Sequence, residues 1–555
     1  MNETVKLRIQ PLDKVISLPR GGNLLDAFLA EGVDIPVLCN KNGSCGKCRV
    51  VVRAPSSPLT EVERFSLGEG LIAEGYRLAC KTEIRGGGDV VIPVESREDF
   101  LEGVYWGNEL AAVKAKRFPY IVDRLPFAGG YAAALDLGTT TLTGYLFDDQ
   151  GNLVSHCSCV NPTTLYGSDV VSRMSSFHQS TEDFVQLRSG MLSGIGRVIH
   201  TLCSRASGTG ATLAAPERVE RIALCGNTIM QHIFLGVNPI EIGLFPYAPI
   251  VKNLVRKEVG EVAELSLKTG LAERAEVILS PSVWGFIGGD AVCGVVATEL
   301  HRSPEPSLLL DIGTNGEIVL SSDGSLFAFS VSAGPAFEGY RIGSGMRATA
   351  GAIDRIDIDD RLRVTYRVIG DVRPKGVCGT GAVSAVATLL KARALTEKGH
   401  IRPSMTTERL GAKRFVIAPA EETATGVSLV FDDKDVEVIQ QAKAAFASGI
   451  SALLRRAGLE AGRLRRIFIA GSFGSSADVD NLKVIGLIPS GIEADIVPVG
   501  NAAGLGVSML LLCTDAERII EDISRKIISV DAASLKEFED DFMEALFFSY
   551  ASDKK

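Results

Sequence analysis

The sequence predicts a multidomain α/β protein. It reads as a small β-rich domain over 1–97, a connector over 98–130, and a duplicated two-lobed body over 131–305 and 306–555. Three observations carry this reading. A chain of 555 residues is too long for one hydrophobic core. Cys39, Cys45, Cys48 and Cys80 are spaced C-x5-C-x2-C with a distant fourth member. From 131 onward, a strand ending in Asp, a Gly-Thr turn and a return strand occur twice in matched surroundings.

Composition sets the outer limits. The net charge of −9 does not favour binding to nucleic acid or to an anionic membrane. No basic segment followed by an apolar run opens the sequence, and no apolar stretch has the length of a membrane span. Eleven cysteines, an odd number without a secretion signal, argue for a reducing cytoplasm and against a disulfide framework. Outside the first domain, Cys157, Cys159, Cys203, Cys225, Cys293, Cys378 and Cys513 are scattered and read as buried apolar residues.

In the first domain, Val5–Gln10 and Lys14–Leu18 alternate as the strands of a hairpin. Gly21-Gly22-Asn23 opens an amphipathic helix over 24–30. Cys48–Val52 reads as a strand, 59–63 as a capped helical turn, and Asp89–Val94 as a closing strand. Gly43 and Gly46 let the cysteine loop curl so that its N–H groups face sulfur. A zinc site is the alternative, but C-x5-C-x2-C with one remote cysteine is poor zinc spacing. The four cysteines resemble the ligands of a plant- or adrenodoxin-type [2Fe–2S] cluster, and the segment resembles a β-grasp ferredoxin. Unlike many plant-type ferredoxins, its charges are balanced.

The connector carries Phe118-Pro119, Leu125-Pro126 and Gly129-Gly130, all helix-breaking pairs. The repeat then begins. The segment 131–146, with Asp136-Leu-Gly138-Thr139-Thr140, matches 308–320, with Asp311-Ile-Gly313-Thr314-Asn315. Arg221–Thr228 matches 466–474, and Gly288–Val295 matches Val499–Gly506. Lys434–Ala457 has the spacing of a core-facing helix.

A D-x-G-T hairpin suits phosphate. Glycine permits the tight turn, backbone N–H groups and threonine hydroxyls face phosphate oxygens, and the strand-end Asp holds Mg²⁺ directly or through water. Asp136 and Asp311 are thus the candidate catalytic, Mg²⁺-holding residues, and Gly138, Thr139, Thr140, Gly313, Thr314 and Asn315 the candidate phosphate contacts. The glycine-rich loops 332–339 and 376–381 add Glu338 and Gly379. The duplication resembles the acetate and sugar kinase/Hsp70/actin (ASKHA) superfamily. That resemblance implies ATP as ligand, an adenosine segment over 467–474 with Gly471, Ser472, Phe473 and Gly474, and two helices, 288–300 and 500–512, crossing at the interlobe hinge.

From residue 3 to about 545 the chain resembles the reductive activators of corrinoid proteins. The carrying motifs are the cysteine set, the two Asp hairpins, Cys225-Gly-Asn-Thr-Ile-Met230, Ser332–Gly339 and Gly471-Ser-Phe-Gly474. The resemblance implies one-electron reduction of a corrinoid methyl-transfer protein from Co(II) to Co(I), through a [2Fe–2S] cluster and at the expense of ATP. It further implies a low-potential electron donor and a homodimer. Two rivals are an activator of a dehydratase-type metalloenzyme and a redox-sensing, ATP-switched binding module.

Overall fold

The computed structural model describes residues 3–31, 33, 35, 41, 43, 48–93, 129–167, 170–177, 181–207, 214–359, 363–402, 414–471 and 478–548. They fall into two units: the residues up to 93 with 162–167 and 170–176, and the remainder from 129 onward. Most of the connector expected at 98–130 lies outside the described residues.

In the first unit, five strands form one mixed sheet in the order Lys14–Pro19, Thr4–Gln10, Gly88–Val91, Arg49–Arg53, Tyr76–Leu78. Thr4–Gln10 pairs in parallel with Gly88–Val91, while Lys14–Pro19 runs antiparallel to the former and Arg49–Arg53 antiparallel to the latter, the arrangement of a β-grasp sheet. Alternation decides the faces: in Thr4–Gln10, Val5, Leu7 and Ile9 are buried and their neighbours exposed. Helix Leu24–Ala30 covers the core with Leu24, Leu25 and Phe28, and Asn23 Oδ1 caps it by accepting from Leu25 and Asp26 N–H. The helical turn expected at 59–63 is the start of a thirteen-residue helix, Glu61–Ala73. Thr60 and Glu63 form a reciprocal capping box, and the helix runs on through Gly68 and Gly70, residues of poor helix propensity that hid its length.

The second unit contains the duplication. Its first sheet has the order Leu153–Val160, Thr141–Asp148, Tyr131–Leu137, Val219–Gly226, Glu276–Leu279, Val255–Glu258. The second has the order Asp495–Gly500, Arg466–Ala470, Ser307–Asp311, Gly316–Ser322, Ser325–Val331, Ile527–Ser529. In each, three consecutive strands run antiparallel, and two later strands run parallel beside the first of them. Register places Cys225 beside Asp136 and Ala470 beside Asp311, the same pairing the internal sequence match implies. Each sheet adds one edge strand of its own, Val255–Glu258 and Ile527–Ser529.

Helices Gly289–Ala297 and Ala502–Leu512 share one apolar core. A Cβ on Gly506 would lie 2.1 Å from Cys293 O, so the two backbones meet where only hydrogen fits. The helices also exchange sheets. Gly504 packs on Tyr145 of the first hairpin, whereas Gly294 packs on Leu309 of the second. Helix Asp433–Arg456 buries Val436, Ile439, Phe446, Ile450 and Leu453 in the core of the second half. Among the described residues no helix is long and apolar enough to cross a membrane.

Candidate functional site

A cleft of about 140 Å³, partly open to solvent, lies between the two hairpins. Asp136, Gly138, Thr139 and Thr140 line one wall, and Asp311, Gly313, Thr314 and Asn315 the other. Glu338, Gly379 and Gly471 complete the expected set that the cleft brings together. Ser472, Phe473 and Gly474 lie outside the described residues. Gly471 takes φ +89°, and a Cβ there would sit 2.4 Å from Ile312 O, so this turn against the second hairpin requires glycine.

Hydrogen bonds tie the walls together. Thr140 Oγ1 and Thr314 Oγ1 are 2.6 Å apart, joining the tips of the two hairpins. Asn227 Nδ2 donates to Thr139 Oγ1 at 2.8 Å, and Asn315 Nδ2 donates to the same oxygen at 3.2 Å. Thr314 donates twice to Glu338 Oε1, from its N–H at 3.0 Å and its hydroxyl at 2.6 Å. The Asn161 amide donates to Gly138 O at 2.8 Å. The two glycine-rich loops interlock, since a Cβ on Gly379 would lie 1.9 Å from Phe337 O.

Electrostatically the cleft is acidic. Burial pushes Asp136 up to about 6, against the hydrogen bonds of Asn501 and Cys225. It pushes Asp290 to about 7 and Asp311 to about 8, with Asp290 and Asp136 adding repulsion at Asp311. Glu317 is raised well above the ordinary range by burial and by the same three neighbours. Such a group of carboxylates is relieved by a cation. Among the described residues no three His, Cys, Asp or Glu side chains stand close enough to hold a metal ion by themselves. Mg²⁺ takes one or two carboxylates and completes its shell with water and phosphate.

Asp290, Glu317, Asn227, Asn501 and Arg347 line the cleft without having been singled out as site residues from sequence. A signal for two of them was present. Asp290 and Asn501 occupy the same position in the matched segments Gly288–Val295 and Val499–Gly506, the one polar side chain at the start of each small-residue helix. His232, buried, is structural: its Nδ1 lies 2.7 Å from Thr228 O, and its Nε2 accepts from Val251 N–H at 2.9 Å.

In the first unit, Cys48 and Cys80 are buried, whereas Cys39 and Cys45 lie outside the described residues. Ala79 N–H donates to Cys48 O at 2.8 Å, and Asn23 Nδ2 to Cys80 O at 3.1 Å. Behind them Arg77 forms a buried fork with Glu63, Nε to Oε1 at 2.8 Å and Nη2 to Oε2 at 3.0 Å, while Leu78 N–H also donates to Glu63. Burial alone would raise Glu63, but the Arg77 bond and the Thr60 and Leu78 N–H groups outweigh it and hold the carboxyl below its ordinary range. Two buried thiols on adjoining backbone fit the thiolate donors of an iron–sulfur cluster. The other seven cysteines are also buried.

A β-grasp cysteine domain joined to a duplicated, phosphate-type cleft defines an iron–sulfur protein built on an ASKHA body. Residues 7–85 match the 2Fe-2S iron-sulfur cluster binding domain, residues 131–303 the RACo middle region, and residues 305–555 the C-terminal domain of RACo, the ASKHA domain. The chain belongs to the reductive activators of corrinoid proteins. It is 29% identical over 430 residues to the corrinoid activation enzyme RamQ of Eubacterium limosum, covering 75% of this chain and 70% of the relative. It is 30% identical over 341 residues to the [Co(II) methylated amine-specific corrinoid protein] reductase of Methanosarcina barkeri, covering 56% of this chain and 59% of that one. A solved structure of a reductive activator for corrinoid, iron-sulfur protein is similar over 98% of each chain, with a TM-score of 0.69 and 26% identity.

Proposed function

We propose that the chain is an ATP-dependent, one-electron reductase that returns the cobalt of a corrinoid methyl-transfer protein from Co(II) to Co(I). The observation that carries this reading is the Thr140–Thr314 bridge between two Asp hairpins, in a chain of this family that also bears a cysteine domain. Cys39, Cys45, Cys48 and Cys80 hold the [2Fe–2S] cluster, which supplies single electrons of low potential. ATP sits in the cleft, its phosphates between the hairpin turns and its Mg²⁺ on Asp136 and Asp311. Gly471, at the end of strand Arg466–Ala470, borders the adenosine.

The energetics favour this division of labour. A plant-type cluster sits near about −400 mV. Moving an electron ~200 mV further uphill costs about 5 kcal/mol. Nucleotide that binds one lobe arrangement more tightly than another supplies an energy of that size. The chain takes its electron from a low-potential donor, works in the cytoplasm and acts as a homodimer.

The test is spectroscopic. Reduced protein with Mg-ATP is mixed with a Co(II) corrinoid protein, and the visible bands of Co(I) are followed. Conversion that requires ATP is expected. No conversion with any corrinoid protein of the source organism would sink the reading.

A further inference from the structure

The cleft has an unequal charge inventory. Five carboxylates line it, on Asp136, Asp290, Asp311, Glu317 and Glu338, and a triphosphate brings several more negative charges. Among the described residues of its lining, Arg347 is the only basic side chain. Sequence gave no reason to single it out, because it follows the glycine-rich loop and belongs to neither hairpin.

Its position is built. Gly339 takes φ +81°, and a Cβ there would lie 2.0 Å from Met346 O; a Cβ on Gly345 would lie 2.2 Å from Gly339 O. The loop therefore folds back on itself at two glycines. Met346 N–H donates to Val377 O and Val377 N–H to Ser344 O, both at 2.8 Å, stitching the loop to the strand that precedes helix Gly379–Lys391. Arg347 is thus held half-buried on a fixed loop of the second half. Its Nη2 reaches across to the first hairpin and donates to Thr141 Oγ1 at 3.1 Å. Its charge also acts on Glu338, the carboxylate that accepts from Thr314. The guanidinium accordingly stands beside the Thr140–Thr314 bridge, where the two hairpin turns converge.

We propose that Arg347 binds the terminal phosphate of the nucleotide and is the residue by which the cleft distinguishes a triphosphate from a diphosphate. This rests on the reading of the cleft as a nucleotide site. Thr141 Oγ1 is its acceptor and Glu338 its nearby countercharge in the structure, and a phosphate lodged between the turns offers it charged oxygens arranged for a forked donor. A diphosphate that stops short of the bridge leaves Arg347 with Thr141 and Glu338. The same loop leads into strand Ala352–Ile358, so the phosphate contact is made by a segment continuous with the small sheet of the second half.

The experiment is a calorimetric titration of the full chain with Mg-ADP and with the non-hydrolysable Mg-AMPPNP. Wild-type protein should bind AMPPNP more tightly than ADP. Arg347→Gln should weaken AMPPNP by ~10-fold or more and leave ADP within about twofold, in line with loss of a charge-assisted hydrogen bond. Arg347→Lys, a point charge without the fork, should fall between them. An Arg347→Gln protein that binds AMPPNP as wild type does, or that loses both nucleotides equally, overturns the proposal. If that variant fails to fold by circular dichroism, Arg347→Lys decides: a wild-type AMPPNP-to-ADP ratio overturns the proposal, and a reduced ratio supports it. Wild-type protein that binds neither nucleotide would instead overturn the nucleotide reading on which the proposal rests.

Discussion

Asn501 donates from Nδ2 to Asp136 Oδ2 at 2.9 Å, a bond from the second half of the body to the first. Its counterpart in the repeat, Asp290, acts in the opposite direction. Its charge is the largest electrostatic influence, after burial, on Asp311 and Glu317 of the second half. Both residues begin a helix that packs on the other half's sheet. The exchange makes each hairpin Asp answer to a residue of the opposite half, so any change in lobe angle alters the environment of both carboxylates together. Such a device suits a protein whose nucleotide must change the relation between lobes.

Asn501→Ala removes the donor that opposes burial at Asp136. The carboxyl should then hold its proton more tightly and orient Mg²⁺ less well. Steady-state ATPase kinetics should show KM for Mg-ATP raised by ~10-fold, the value of one hydrogen bond to a charged group. The visible spectrum of the cluster should not change. An unaltered KM would remove Asn501 from the site.

Asp311→Ala should abolish ATP hydrolysis, because the second hairpin loses its strand-end carboxylate at the cleft. The cysteine domain is a separate unit, so its absorption spectrum should match the wild type. Colorimetric phosphate release and visible spectroscopy on the same preparation check both halves of the statement. Loss of both signals would mean that the domains depend on each other for folding.

The acidic cleft predicts a pH dependence. Asp136, Asp290 and Asp311 have an ordinary value of 3.8 and are raised to about 6, 7 and 8. For a carboxyl raised on folding, the native state binds more protons between the two values, so stability falls as pH rises through that window. Metal-free protein should therefore melt lower at pH 8 than at pH 5.5, by at least about 2 °C for a body of this size. Saturating Mg²⁺ should flatten the slope by pairing with the ionised carboxylates. Asp290→Asn should flatten it without metal. A slope unchanged in that variant would assign the effect to other groups.

How much of this was legible in the sequence follows from what is local. Asp136, Asp311 and their Gly-Thr turns are local, fixed by strand alternation and a tight turn, and they face the cleft. The helix Asp433–Arg456 was legible from its spacing alone. Arg347 was not, because two glycine contacts and a stitch to Val377 aim it, and none has a sequence signature of its own. Asn501 and Asp290 were half-legible: the repeat marked them as equivalent, but nothing local says that equivalent helices trade sheets. The length of helix Glu61–Ala73 was missed because tertiary packing outweighed two glycines.

In the first unit, Cys80→Ser should eliminate the charge-transfer absorption of the cluster, whereas calorimetric binding of Mg-ADP should persist. Cys80 sits in a single helical turn held by Asn23 and by the Cys48–Ala79 bond, so an isosteric serine should leave that backbone in place. Retained absorption would exclude Cys80 as a ligand of the cluster.

The helix crossing gives a test in which two effects oppose each other. In an exposed helix, Gly→Ala is favoured by about 1 kcal/mol. At Gly506 the added Cβ would lie 2.1 Å from Cys293 O and 2.5 Å from Cys293 C, backbone atoms that cannot rotate away. The helices must separate, and overpacking of this kind costs about 1–3 kcal/mol. Gly506→Ala should therefore lower the melting temperature despite its better helix propensity. It should also weaken Mg-ADP binding, because Asp290 and Asn501 are displaced from the two hairpins at once. Gly458→Asn is the control, since its φ of +62° is accessible to Asn and nothing lies within 4 Å of the added Cβ. If Gly506→Ala proves as stable as wild type, propensity has won and the close crossing is not what sets the lobe geometry.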